Sequence, residues 1–235
     1  GSVFIQQGRS YIVFEVDADK KLAKVRPTTV DYVTANRDFT DVDPIQISET
    51  REVVPPPTIV NYGLLRLQTT VFGYFKLNPR TKQILEAVDG LENPPITKHR
   101  AGFWVDVPHP AVTFLKERGI NVEFSVHAAA HALLGLLPTC VVIPTTGQTD
   151  IRTDCKHPRA GRFRTPTTTG GGLVYKAFRH IPELLRRVWV VVRECPCEDG
   201  CPGCVHRAGC KEGNEALSKE GARVVLGAFC GEVSR

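Results

Sequence analysis

Sixteen residues near the end of the chain, Cys195 to Cys210, read CPCEDGCPGCVHRAGC and hold five of its eight cysteines. This stretch constrains the fold more than any other, because thiolates a few residues apart can close a tetrahedral site around one zinc ion without help from distant chain. Successive cysteines are separated by one, three, two and five residues. A disulfide framework is the competing reading, but eight cysteines in 235 residues is far from disulfide density, and no secretory segment is visible. From the spacing, Cys197, Cys201, Cys204 and Cys210 are expected to hold the ion, with Cys195 as a neighbour able to substitute. Four thiolates leave no open coordination position, so the ion is expected to be structural. An iron–sulfur cluster, which also takes four cysteines, stays open as the rival.

The charge is concentrated in the second half. Residues 1–110 carry 13 Lys/Arg against 13 Asp/Glu, whereas residues 111–235 carry 17 against 12, which accounts for the net +5. Between Arg152 and Arg193 lie ten cations and only two acids, Asp154 and Glu183. Such a field attracts polyanions, phosphate backbones above all, although a merely solvated face has the same composition. The candidate nucleic-acid contacts are Arg152, Lys156, Arg159, Arg162, Arg164, Lys176 and Arg179. No run of 18 apolar residues is present to span a membrane. The chain has no methionine and begins Gly1-Ser2, which looks like the scar of a cleaved tag, so a piece of a longer protein is expected.

The first half reads as strands. Val3–Gln7, Tyr11–Asp17, Leu22–Arg26, Val30–Ala35, Ile45–Ser48, Leu64–Leu77 and Phe103–Val107 are β-branched and aromatic runs set off by turn residues. Gly73 suggests a bulge or bend, and Pro55-Pro56-Pro57 a rigid crossing loop. Helices follow. Pro110 opens one over 111–118 closed by Gly119, 122–137 is rich in Ala and Leu until Pro138, and 173–180 and Pro182–Val192 continue the pattern. Asn214 or Ser218 caps a last helix carrying Val224, Val225, Leu226 and Phe229. Cys140–Ile143 reads as a buried strand, and 144–172 as an irregular loop. The expectation is an α+β chain, with a β-rich accessory subdomain over 1–110 and a helical zinc-binding subdomain over 111–235.

Three smaller constellations carry chemistry. His127 and His131, four apart on a helix, share a face as in zinc hydrolases, but Ala128 stands where the general base of a metalloprotease belongs. Structural or phosphate-contacting histidines are the favoured reading; the hydrolase reading requires a second equivalent of metal. Gly170-Gly171-Gly172 before a helix offers free N–H groups to an anion near Gly171, and also resembles a hinge. No GxxxxGK[ST] loop is present, so the chain is not expected to hydrolyse nucleotide and no catalytic residue is assigned. Cys155 and His157 make at most half of a second site, and Cys140 and Cys230 read as small core residues.

HAAAHALLGLLP (127–138), GGGLVYKAF (170–178), and CPCEDGCPGCV with GNEALSKEGA (195–222) together resemble the C-terminal zinc-binding domain of MrfA-type and of fungal and plant Hrq-type DNA helicases, a branch related to the RecQ-four helicases. IQQGRSYIVFEVD and VRPTTVDYVTAN resemble the strand-rich region that precedes it. The resemblance implies a non-motor module of an ATP-dependent 3′–5′ DNA helicase acting in DNA repair, with zinc on Cys197, Cys201, Cys204 and Cys210, single-stranded DNA as partner, and the motor domains elsewhere in the parent chain. It implies a nuclear protein in a eukaryote and a cytoplasmic one otherwise. Two departures stand out: Ala130 replaces the acidic residue usual before the second histidine, and RFRTPTTT replaces a strand with a Tyr-Asp pair. A purely structural or protein-docking zinc module without DNA contact is the alternative function.

Overall fold

The computed structural model describes residues 1–17, 19–53, 58–140, 162–166, 172–208, 210 and 212–232, giving backbone alone for 162–166 and 173. The chain is α+β, with strands leading and helices following. The strands are β1 (Val3–Gln6), β2 (Arg9–Asp17), β3 (Leu22–Pro27), β4 (Val33–Val53), β5 (Thr58–Leu77), β6 (Ile84–Asp89), β7 (Ile96–Asp106) and β8 (Arg162–Pro166). The helices are α1 (His109–Glu117), α2 (Val122–Leu136, continued by a 3₁₀ turn at Leu137–Thr139), α3 (Gly172–Arg179), α4 (Ile181–Glu194) and α5 (Lys219–Phe229). The triple proline, residues 141–143 of the expected fourth-from-last element, and Gly170 and Gly171 lie outside the described residues.

By contacts the chain forms two compact units, Gly1–Asp41 with Leu67–Lys98, and Val42–Arg66 with His99–Arg235. Strand residues 42–53, 58–66 and 99–106 thus group with the helices in the second unit.

In the first unit, β1, β2 and β3 form an antiparallel sheet in that order. The β1–β2 turn uses Gln7 (φ 49) and Gly8 (φ 75), two left-handed residues whose twist matches the flanking strands. The Asp17 carboxylate accepts the Lys20 N–H at 3.0 Å and shapes the next turn. Strand β6, which the sequence reading missed, pairs with β5 from Gly73↔Asp89 to Leu77↔Ile84. Gly73 marks close approach to β6, since a Cβ there would sit 2.2 Å from the Val88 carbonyl; the register shift lies further on, at Lys76/Leu77.

In the second unit β7 pairs antiparallel with β8, and Phe103, Trp104 and Val105 of β7 are buried. Helix α2 is buried nearly all round, which its composition allows: Ala128, Ala129, Ala130 and Ala132 add little bulk and let neighbours approach closely. The Asn121 side chain caps it by accepting the Phe124 N–H at 3.0 Å, and Ser218 caps α5 through the Gly221 N–H at 3.0 Å. On α4 the apolar stripe Ile181, Leu184, Leu185, Val188 and Val192 faces inward, with Pro182 in the first turn. Among the described residues no helix is long and apolar enough to cross a membrane.

The α2–α5 contact depends on Gly221. A Cβ at this position would fall 1.8 Å from Ser125 Oγ, a hydroxyl that is fully buried and donates to the Asn121 carbonyl at 2.7 Å. Gly221→Ala is therefore expected to destabilise the chain by about 1–3 kcal/mol through overpacking. Urea denaturation followed by helical circular dichroism measures it.

Candidate metal centre

Helix α4 ends because its sequence ends it. Cys195 precedes Pro196, which disfavours helical backbone, and Cys195 sits extended at φ −63, ψ 126. Past Cys197 the chain reverses at Gly200 (φ +125), where a Cβ would lie 2.6 Å from Val205 Cγ2 and 2.7 Å from His206 Nε2. Both conformation and space demand glycine there. The Cys201 carbonyl then accepts the N–H groups of Cys204 and His206, each at 3.0 Å, and Cys204 Sγ accepts the Cys201 N–H at 3.3 Å.

These turns bring Cys195, Cys197, Cys201 and Cys204 together. Their sulfurs stand 3.5 Å apart for the pairs 195/197, 195/201 and 197/204, and 3.7 Å apart for 201/204. All four Sγ atoms lie within 4.8 Å of one another. Tetrahedral zinc with Zn–S of 2.3 Å requires sulfurs about 3.8 Å apart, so the four fit a single ion with only small adjustment. A multi-iron cluster needs its cysteines spread over separate irons, and sulfurs this close leave no room for one. The cysteines are free thiols.

Cys210, expected to complete the set, is elsewhere: its Sγ is 3.9 Å from His127 Nε2. The five-residue gap suits a ligand by length alone. Instead, Cys204 turns back to join the others, and Asn214 closes residues 207–214 into a loop by exchanging hydrogen bonds with the Arg207 N–H (2.9 Å) and carbonyl (3.0 Å).

Lys219 is a contributor that the sequence reading missed. It is 7% exposed, and its ammonium donates to the Cys195 carbonyl at 2.7 Å, to the Cys197 carbonyl, and to Cys197 Sγ at 3.2 Å. A cation in the first turn of α5 opposes the helix dipole, so its place there makes sense only with negative charge opposite. A buried ammonium offsets part of the net negative charge of four thiolates on one zinc. The available signal was this wrong-signed lysine directly after the cap Ser218.

Two of the thiols, Cys197 and Cys204, are pushed in opposite directions. Burial works against ionising Cys197, but the Lys219 ammonium and the neighbouring thiols outweigh it and bring it down to about 6. Burial pushes Cys204 up to about 12, with thiols Cys197 and Cys201 adding to the rise against the Cys201 N–H. The Cys197 thiolate thus forms more readily than that of Cys204, and a bound metal cation favours the thiolate form of both.

Of the other expected site residues, Arg152, Lys156, Arg159 and Gly171, with Cys155 and His157, lie outside the described residues. Arg162 and Arg164 occupy alternate backbone positions of β8, opposite Asp106 and Trp104. Lys176 and Arg179 are exposed on α3. His127 and His131 lie side by side on α2, ring centroids 4.3 Å apart. Cys140 and Cys230 are half-buried against the helical core, with burial raising Cys230 to about 11.

Residues 129–205 match the family model of the MrfA Zn-binding domain. The chain is 37% identical to the ATP-dependent helicase HRQ1 of Saccharomyces cerevisiae, an alignment covering 98% of the chain and 22% of the relative. It is 34% identical to the ATP-dependent helicase hrq1 of Schizosaccharomyces pombe, over 96% and 23% respectively. The chain thus spans under a quarter of the length of these relatives. In fold it is similar to the DUF1998 helicase MrfA crystallised with DNA, with a TM-score of 0.61 at 19% identity, covering 97% of this chain and 30% of that one. The family match and the four-thiol geometry agree on zinc as the cofactor.

Binding a structural zinc is worth ~10–16 kcal/mol in peptide models, against ~5–15 kcal/mol for a whole domain. Chelation is therefore expected to unfold the unit containing α4 and α5, seen as loss of helical circular dichroism. Lys219→Met, which removes the buried ammonium and leaves the Cys195 and Cys197 carbonyls and the Cys197 sulfur without their donor, is expected to cost about 2–3 kcal/mol and to speed zinc loss to a chromophoric chelator.

Proposed function

We propose, from the premise that this chain carries the MrfA Zn-binding domain and is homologous to the Hrq1 helicases, that it is the non-motor module of an ATP-dependent 3′–5′ DNA helicase acting in DNA repair. Its zinc, held by Cys195, Cys197, Cys201 and Cys204, braces the junction of α4 and α5 and has no catalytic role. Its task is to hold single-stranded DNA while motor domains elsewhere in the parent chain do the work of translocation. In a eukaryotic cell it acts in the nucleus.

The observation that carries this reading is the alignment with HRQ1 along 98% of the chain. Charge supports the DNA part: Lys176 and Arg179 on α3 and Arg186 and Arg187 on α4 are exposed, while the apolar stripe of α4 is buried. MrfA, similar in fold, has been crystallised with DNA, which is consistent with such a surface. Cations on rigid helices track a phosphate backbone without reading sequence.

Fluorescent single-stranded DNA titrated against the chain is the test. Affinity is expected to fall steeply with salt, and Lys176→Glu with Arg179→Glu to weaken binding ~10-fold and flatten the salt slope by about 1.4, the value for two lost phosphate contacts. Unchanged affinity in that variant removes α3 from the DNA path. No measurable binding by the unaltered chain favours a module that only supports or docks the motor.

A further inference from the structure

We propose that His127, His131 and Cys210 form a second metal site, for zinc or a similar borderline divalent ion, distinct from the four-cysteine knot. The inference does not depend on the DNA-binding reading.

The tautomer of the histidines is fixed by their partners. His127 Nδ1 lies 3.0 Å from the Ala216 carbonyl, and His131 Nδ1 lies 2.9 Å from the Val205 carbonyl. A carbonyl only accepts, so each Nδ1 carries the hydrogen, and the tautomer this selects has its lone pair on Nε2. Those lone pairs are not scattered. The histidines are four apart on α2, their rings meet edge to face at 4.3 Å and 71°, and Cys210 Sγ is 3.9 Å from His127 Nε2. A ring nitrogen of each histidine and the sulfur all lie within 4.8 Å of one another, with His131 6% exposed.

Zinc bound to two imidazoles and a thiolate sets its donors roughly 3.3–3.8 Å apart, so donors that stand within 4.8 Å of one another close on the ion by side-chain rotations that move them about 1 Å. Metal-bound histidines characteristically donate the other ring N–H to a carbonyl or carboxylate, and both histidines here do so. His127 adds a carboxylate, Glu212 Oε2, 3.2 Å from the same Nδ1. Three protein ligands leave the fourth position to water.

Cys210 is presented by the loop that Asn214 closes, at φ 66, and Val205, Glu212 and Ala216 belong to the same stretch between the knot and α5. Among its described residues that stretch contains no helix or strand, so an ion here ties it to α2. It also gives the fifth clustered cysteine an occupation that the first site does not.

Zinc per chain, measured by inductively coupled plasma mass spectrometry after equilibration with zinc and gel filtration, decides the matter. The unaltered chain is expected to hold two zinc ions, and Cys210→Ser and His127→Gln to hold one each while retaining helical circular dichroism. In the cobalt-substituted chain the second equivalent adds the visible d–d bands of a mixed nitrogen–sulfur site, absent from both variants. One zinc in the unaltered chain, or two in a folded Cys210→Ser and a folded His127→Gln, overturns the proposal. The count in the unaltered chain stands even if a variant fails to fold.

Discussion

Four sulfurs within a few ångströms of one another are the interaction on which the second unit depends. Thiols 3.5–3.7 Å apart cannot all ionise without a cation, yet the backbone turns at Cys195, Gly200 and Cys201 hold them there. A zinc ion resolves this conflict, and Lys219 relieves part of the remaining charge. Because Cys195 ends α4 and Lys219 begins α5, the same small cluster joins the two helices. Their position then sets which cations of α3 and α4 face outward.

The helical core is built to permit that arrangement. Alanines on α2 and Gly221 on α5 remove bulk where the helices meet, and the caps Asn121 and Ser218 fix where each begins. Helix α2 thereby presents His127 and His131 towards the stretch that follows the knot. The two candidate metal centres share this scaffold: one lies at the end of α4, the other on the flank of α2.

Helix positions were largely legible in the sequence because their punctuation is local: Pro110, Gly119, Pro182 and Ser218 stand where helices begin or end. Strands were harder. Val30–Ala35 and Ile45–Ser48 read as two separate short strands, yet β4 runs unbroken from the first through the second for 21 residues, Val33–Val53, because sheet pairing outweighs local propensity. β6 carries no sharp boundary, and the sequence reading passed over it. At the metal centre, the cysteine cluster and zinc were legible from residue type and spacing. The grouping was not, because a gap of one residue between Cys195 and Cys197 and one of five before Cys210 both look feasible as chain lengths. The Gly200 reversal and the Asn214-closed loop decide it, and both depend on contacts across the fold. The pairing of Cys210 with α2 spans 83 residues and has no local signature.

Anomalous diffraction at the zinc edge tests the central claim most directly, because it locates the ion without altering any ligand. The account predicts a peak about 2.3 Å from each of the sulfurs of Cys195, Cys197, Cys201 and Cys204. A peak bonded to Cys210 in place of Cys195 contradicts it.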